Sequence, residues 1–225
     1  MIPIRDTIPA RRTAWVVRLL IAANIAVFVL EWRQGPSVEA FLYRFGVVPM
    51  AWTLNAPDLW SWPAQLLTLL TSQFLHGGLL HLASNMLYLW IFGDNVEDRL
   101  GHGRFLLFYL GCGVAAAVTQ IVTQPHGSVP MIGASGAIAG VLGAYFLLFP
   151  HARVVTLIPW VLMWRLIELP AFLFLGVWFA LQWVQSLATV GQMVPAGGVA
   201  FWAHIGGFIT GLVMVWWGRP RRTYF

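Results

Sequence analysis

Four polar side chains lie in or beside long apolar stretches of the sequence, where polar groups are costly and usually functional or paired. His81 and Asn85 belong to the motif HLASN, Ser135 to GASG and His204 to WAHIGG. A serine hydroxyl becomes an effective nucleophile when a neighbouring base accepts its proton, and neutral histidine is the usual base. The pattern predicts a catalytic pair, with Ser135 as nucleophile and His204 as general base.

The tetrahedral intermediate of acyl transfer also needs hydrogen-bond donors directed at its oxyanion. His81 and Asn85 are four residues apart and therefore share one face of a helix. The predicted donors are the Asn85 amide, the His81 ring and backbone N–H groups around Ser135. Gly133 is included in this group, because glycine lets backbone and substrate approach closely.

The sequence offers no evident carboxylate to complete a catalytic triad. The acidic residues expected on the same side of the membrane are Glu31, Glu39 and Asp58, which fall near the first apolar stretch or in the connection after it. A triad would need one of them to reach the base. We therefore expect a serine–histidine dyad.

Each candidate also has an ordinary structural interpretation. A serine near a helix start is often an N-cap or a packing residue, and an isolated histidine or asparagine in a membrane helix often forms an interhelical hydrogen bond. His76, five residues before His81, is interpreted as structural. The chain has no HExxH motif and no carboxylate at ligand spacing from its histidines, so no metal is expected. The combination of four polar residues at one depth favours catalysis.

These residues require elements that hold them at one membrane depth, and the composition indicates such elements. Of 225 residues, 59% are hydrophobic and 9% charged, whereas about a quarter are charged in soluble domains. Six stretches have the length and apolarity of membrane-spanning helices. They are residues 14–32, 79–97, 104–123, 134–150, 168–188 and 200–217. The predicted fold is an all-α polytopic membrane protein, a single domain over residues 1–225.

The arginines indicate the orientation. They precede or open the first apolar stretch and follow the last, which places both termini in the cytoplasm. Residues 1–13 and 218–225 are the expected cytoplasmic segments. The net charge of +5 therefore reflects topology, and no nucleic-acid partner is expected. The long outer connection, residues 33–78, is rich in tryptophan and proline and is expected to hold short helices in the membrane interface.

Glycines at helical spacing indicate close packing within the bundle. Gly136, Gly140 and Gly143 lie in the predicted fourth helix, and Gly207 and Gly211 in the sixth. Such spacing allows helix backbones to approach closely in lipid. We expect tight helix contacts at these positions.

The motifs HGGLLHLASN, GASGAIAG and AHIGG, in this order on the second, fourth and sixth predicted helices, resemble the rhomboid intramembrane serine proteases. The resemblance implies a six-helix bundle with a water-filled cavity open to the extracytoplasmic side, and cleavage of transmembrane or membrane-anchored proteins without metal or organic cofactor. Ser135 would be the nucleophile, His204 the base, and His81 and Asn85 the oxyanion stabilisers. Transmembrane protein substrates and the lipid bilayer are the expected partners.

The same resemblance implies a route for the substrate. The segment from Pro170 onward is similar to the family's fifth helix, a lateral substrate gate, with Trp178 and Phe179 as candidate gate residues. The connection 189–199, which carries Met193, would be the cap over the site. The chain resembles the minimal bacterial six-helix form, so a bacterial inner membrane is the expected location, with an organellar membrane as the alternative.

Two other functions are compatible with the sequence. An inactive rhomboid-like protein would bind client helices without cleaving them, although such proteins typically lack the serine or the histidine that this chain has. A small transporter would distribute polar residues across the bilayer, whereas the four candidates cluster in one half. The sequence therefore favours the protease.

Overall fold

The apolar stretches fold as helices, because in lipid the backbone groups of such segments must pair internally. The computed structural model describes residues 1–53, 62–160, 163–189 and 199–218. The helices are, in chain order, α1 (Trp15–Trp32), α2 (Val38–Phe45), α3 (Pro49–Thr53), α4 (Trp62–Thr71), α5 (Leu79–Leu100), α6 (His102–Thr123), α7 (Ser135–Leu148), α8 (Ala171–Ala188) and α9 (Phe201–Gly218). Single 3₁₀ turns cover Gly35–Ser37 and Ser72–Phe74.

Helices α1 and α5 to α9 lie at the six predicted stretches, and the all-α polytopic fold is confirmed. Within the described residues, α1, α6, α8 and α9 are long and apolar enough to cross a membrane. A fifth span results if Pro63–Phe74 and Leu79–Leu100, which are bent by 80°, count as one. With 14 residues, α7 is about 21 Å long at a rise of about 1.5 Å per residue. That six helices cross the membrane stays a prediction.

Helix α7 lies at the centre of the bundle. Every residue from Gly136 to Tyr145 is buried, and α7 packs against α5, α6, α8 and α9. Its tightest contact is with α9, where a Cβ at Gly207 would lie 2.0 Å from the carbonyl oxygen of Gly136 and one at Gly211 would lie 2.0 Å from that of Gly140. The two backbones therefore touch, and this contact sets the distance between the residues at the starts of α7 and α9.

A small antiparallel sheet lies at one end of the bundle, here called the sheet end. Its strands are β1 (Ile2–Asp6), β2 (Arg153–Trp160) and β3 (Met163–Pro170), in the order β1-β2-β3. These strands were not predicted from the sequence. The predicted start of the fifth helix, residue 168, was wrong by three residues, because β3 continues to Pro170 and α8 begins at Ala171. We call the opposite end, where α5, α7 and α9 begin, the site end.

Asp6 connects the sheet to the helices. Its Oδ2 accepts hydrogen bonds from the hydroxyl of Tyr145 in α7 at 2.5 Å and from the amide of Asn95 in α5 at 2.9 Å. Burial raises the pKa of Asp6 above its ordinary value, and the hydrogen bond from Tyr145 opposes this rise. The segment 1–13 is therefore packed onto the bundle through β1, while its position in the cytoplasm stays a prediction.

The described residues of the connection between α1 and α5 include short helices, as expected for residues 33–78. It contains α2, α3 and α4, and Val47 in it exchanges two backbone hydrogen bonds with Met131, at 3.1 and 2.7 Å. The side chain of Val47 packs in a small apolar cluster with Ala117 and Ile121 of α6. The connection is thereby fixed to the bundle, and its location in the membrane interface stays a prediction.

Glu97 caps helix α1 from the neighbouring α5. Its carboxylate accepts the backbone N–H groups of Val16 and Val17 at 2.9 and 2.8 Å and is buried. Glu97→Ala leaves these two buried donors unpaired, and each costs about 1–3 kcal/mol. We expect the thermal midpoint of unfolding in detergent to fall for Glu97→Ala and to change little for Glu168→Ala, whose side chain is exposed on β3. Equal midpoints for the two variants would contradict the capping role.

Candidate active site

A cavity of about 630 Å³ lies at the site end of the bundle. Its lining includes His81 and Asn85 of α5, Gly133 in the loop before α7, Ser135 of α7 and His204 of α9. These side chains come from three helices and a loop that are distant in sequence. The structure brings together all the residues predicted for the nucleophile, the base and the oxyanion donors, and their chemical roles stay predictions.

Ser135 and His204 are within hydrogen-bond distance of each other. Ser135 is the first residue of α7, His204 lies in the first turn of α9, and the Oγ of Ser135 is 2.8 Å from the Nε2 of His204. His204 is only 9% exposed, so the base is largely shielded from bulk solvent, while Ser135 is half-buried at the cavity wall. An unprotonated Nε2 can accept the serine proton, which is the geometry that an activated serine requires.

The second ring nitrogen of His204 also has a partner. Its Nδ1 lies 2.6 Å from the Oε1 of Gln182 in α8. Gln182 was not predicted from the sequence, because a triad is expected to contain a carboxylate at this place. The available signal was an amide within an apolar helical stretch, where a polar group needs a partner. A neutral amide thus occupies the place at which a triad has its carboxylate.

A chain of hydrogen bonds positions Asn85. The Nδ2 of Asn85 lies 3.0 Å from the Nε2 of His76, and the Nδ1 of His76 lies 3.3 Å from the carbonyl oxygen of Phe74. Because a carbonyl oxygen only accepts, Nδ1 of His76 carries the proton and Nε2 accepts from Asn85. The second amide hydrogen of Asn85 has no partner among the described residues and can serve an oxyanion.

Glu31 fixes the backbone of the loop that carries His76, just before α5. Its carboxylate accepts the backbone N–H of His76 with both oxygens, at 3.0 and 3.2 Å, and is 2% exposed. The acidic residue at the end of α1 therefore fixes His76 and has no contact with His204 in this arrangement. Of the other two acidic residues considered for a triad, Glu39 lies in α2 and Asp58 lies outside the described residues.

Gly133 lets the loop before α7 pass close to His81. Its φ of 120° falls in the region that favours glycine, and a Cβ there would lie 2.8 Å from the Cε1 of His81. The N–H of Gly133 donates to the carbonyl oxygen of Ser72 at 2.8 Å, so it is already engaged, and an oxyanion role for Gly133 stays a prediction. The first N–H groups of α7, beside Ser135, have no acceptor within the helix.

The family model described as the Rhomboid domain matches residues 63–221, a range that includes Ser135, His204, His81, Asn85, Gly133 and Gln182. The chain belongs to the rhomboid family. Rhomboid membership together with the apolar helices shows an integral membrane protein and supports a function of the intramembrane protease type.

Several curated proteins with rhomboid names are similar to this rhomboid. Rhomboid protein 1, mitochondrial, of Saccharomyces cerevisiae is 27% identical over 206 residues, 90% of this chain and 53% of that protein. Presenilin-associated rhomboid-like protein, mitochondrial, of Homo sapiens is 32% identical over 205 residues, 89% of this chain and 47% of that protein. Rhomboid protease GluP of Bacillus subtilis is 42% identical over 127 residues, 56% of this chain and 23% of that protein. The chain spans about half the length of the two mitochondrial relatives.

The candidate gate residues of this rhomboid pack against α9. The ring of Trp178 lies 5.9 Å from that of His204, and the ring of Phe179 stacks on Phe208 at 4.6 Å. Through these contacts α8 packs directly beside the site. Movement of α8 as a substrate gate stays a prediction, and Met193, the candidate cap residue, lies outside the described residues.

The cysteine and the potential metal ligands have other surroundings. In the part of the chain that the structure describes, no three histidine, cysteine, aspartate or glutamate side chains are grouped closely enough to hold a metal ion. Cys112 is buried in α6 and faces Gly140 of α7, where an added Cβ would lie 2.5 Å from its sulfur. Cys112 therefore serves packing between α6 and α7.

Proposed function

We propose that this rhomboid is a serine endopeptidase that cleaves transmembrane or membrane-anchored proteins. The single observation that carries the proposal is the 2.8 Å contact between the Oγ of Ser135 and the Nε2 of His204. Its setting supports the same function, because the pair lines a cavity that also contains amide and imidazole donors. A packing serine would need none of these neighbours.

The first half-reaction forms an acyl-enzyme. The Nε2 of His204 takes the proton of Ser135 while Oγ attacks the carbonyl carbon of the scissile peptide bond. The oxyanion accepts hydrogen bonds from Asn85, His81 and the first N–H groups of α7. When the carbon–nitrogen bond breaks, His204 returns its proton to the leaving amine.

The second half-reaction consumes water from the cavity. His204 deprotonates the water as it attacks the acyl carbon, and Ser135 regains the proton when the carboxylic product leaves. The substrate has to be locally unwound, because a peptide bond in a helix is shielded and already hydrogen-bonded within the segment. Segments with small or helix-breaking residues near the membrane surface are therefore the expected substrates.

We further propose that the site end faces away from the cytoplasm and that both termini are cytoplasmic. The arginines before and within the first turn of α1, Arg11, Arg12 and Arg18, support this orientation under the positive-inside rule. Cleavage would then occur near the extracytoplasmic surface. The bacterial inner membrane stays a prediction, since the names of two relatives place those proteins in mitochondria.

Covalent labelling by a fluorophosphonate probe tests the proposed nucleophile. Purified protein in detergent is treated with the probe, and the modified peptide is mapped by mass spectrometry. We expect one adduct on Ser135 that is lost in Ser135→Ala and in His204→Ala, because the hydroxyl reacts only with its base in place. A folded protein that neither labels at Ser135 nor cleaves any model transmembrane substrate would favour the inactive, client-binding function instead.

Removal of the Asn85 amide is expected to slow the chemical step. Asn85→Ala deletes one oxyanion donor, and such losses reduce kcat by about 10²- to 10³-fold. The matched control is Asn24→Ala, which removes a buried asparagine of α1 whose amide donates to the carbonyl oxygen of Leu20 at 2.7 Å. The readout is kcat against KM for a transmembrane substrate. A change in KM with unchanged kcat would argue against the oxyanion role.

A further inference from the structure

The neutral His204 ring has two possible tautomers, and only one of them can act on Ser135. To accept the serine proton, Nε2 must be unprotonated, so the ring hydrogen must be on Nδ1. A hydrogen on Nδ1 needs an acceptor in this largely buried position. The Oε1 of Gln182, at 2.6 Å, is that acceptor.

We propose that Gln182 is a positioning residue that fixes the tautomer and the ring orientation of His204 from helix α8. The inference rests on the proposed function, because it concerns the general base of that reaction. A carboxylate could serve the same purpose, but an ionised group at membrane depth is costly. The amide accepts the Nδ1 hydrogen without adding a charge.

The aromatic neighbours of His204 cannot replace this contact. The ring of Trp178 is tilted by 36° at 5.9 Å, and that of Phe201 stands at 85° at 6.5 Å. Such contacts restrict the plane of the imidazole, but they do not distinguish its nitrogens from its carbons. The tautomer is set by the hydrogen bond that the other ring nitrogen makes, and here that bond comes from Gln182.

Because Gln182 lies on α8, the orientation of His204 depends on the packing of α8 against α9. Helix α8 is held on α9 by aromatic contacts, Phe179 on Phe208 at 4.6 Å and Trp183 on Trp202 at 6.1 Å. If α8 moves away from α9, Nδ1 loses its acceptor and Nε2 is no longer held toward Ser135. Should α8 act as the predicted gate, His204 would take the proton of Ser135 only when α8 is packed against α9 again.

Variants at Gln182 test this role against a simple packing role. Gln182→Met keeps the side-chain length and removes the acceptor, whereas Gln182→Glu retains an acceptor oxygen. Gln185→Met, on the same helix with an exposed side chain, is the matched control. We expect fluorophosphonate labelling of Ser135 to slow about tenfold or more in Gln182→Met, with KM for a transmembrane substrate little changed. Labelling should be largely retained in Gln182→Glu and unchanged in Gln185→Met.

A spectroscopic readout separates tautomer control from altered packing. The ¹⁵N signals of His204, identified by their loss in His204→Ala, should show hydrogen on Nδ1 in the unaltered protein and a mixture of tautomers in Gln182→Met. Equal labelling rates for Gln182→Met and Gln185→Met, or an unchanged tautomer, would overturn the inference while leaving Ser135 reactive. If Gln182→Met does not fold, loss of labelling in a folded Gln182→Glu overturns it. Failure of the unaltered protein to label would instead contradict the proposed function.

Discussion

Ser135→Ala is expected to reduce cleavage of a transmembrane substrate in proteoliposomes by roughly 10⁴-fold or more, because the variant lacks the group that forms the acyl-enzyme. His204→Ala should lose a similar factor, since the serine hydroxyl is then without a base. Residues that act as a unit are strongly non-additive, so the double variant should be no slower than either single variant. The measurement is the initial rate of product formation at equal amounts of folded protein.

Ser84→Ala is the matched control for this experiment. Ser84 lines the same cavity, and its hydroxyl donates to the carbonyl oxygen of His81 at 3.0 Å, but it has no contact with His204. We expect its cleavage rate to stay within a few-fold of the unaltered protein. Residual cleavage by Ser135→Ala comparable to that of Ser84→Ala would refute the assignment of the nucleophile.

Gly207→Ala is expected to lower both stability and the cleavage rate, although Gly207 carries no functional group. Its Cβ would lie 2.0 Å from the carbonyl oxygen of Gly136 and 3.0 Å from the carbonyl carbon, so α9 has to move away from α7. Overpacking of this kind costs about 1–3 kcal/mol, and a displacement of about 1 Å in a catalytic pair can cost about 10²-fold in rate. We expect a lower thermal midpoint and about 10²-fold slower cleavage.

Gly111→Ala provides the comparison for a glycine that does not separate two helices. Gly111 lies in α6, and no heavy atom lies within 4 Å of a Cβ built there. Alanine is the better helix former, so this variant should be equally or slightly more stable and fully active. Fluorophosphonate labelling of Ser135 in both variants measures the dyad directly. If Gly207→Ala labels as fast as Gly111→Ala, the contact between α7 and α9 does not control the geometry of the site.

Helix positions could be read closely from the sequence because hydropathy is a local property. The expected stretch 14–32 became α1 over Trp15–Trp32, and the expected stretch 200–217 became α9 over Phe201–Gly218. An apolar segment of this length has one low-energy form in lipid, since only a helix pairs all its backbone groups internally. The number of segments that span the membrane is less direct, because the buried α7 is surrounded by protein and does not need full length.

The sheet could not be predicted from the sequence, because it depends on contacts between distant segments and not on a local property. Strand β1 pairs with β2, which follows helices α1 to α7 in the chain, and Asp6 accepts a hydrogen bond from Tyr145 of α7. A five-residue segment has little local preference for a strand, and its structure depends on a partner that only the folded chain supplies. Short segments of this kind are therefore determined by tertiary contacts.

The sequence by itself determined which polar residues share one end of the bundle. Helix direction alternates along a polytopic chain, so the positions of His81, Ser135 and His204 along their apolar stretches imply a common depth. Only the tertiary structure decided which side chains meet, because hydropathy does not specify how each helix is rotated about its axis or how closely two helices approach. That rotation directs Gln182 at His204, and the glycine contact between α7 and α9 brings the histidine within reach of Ser135.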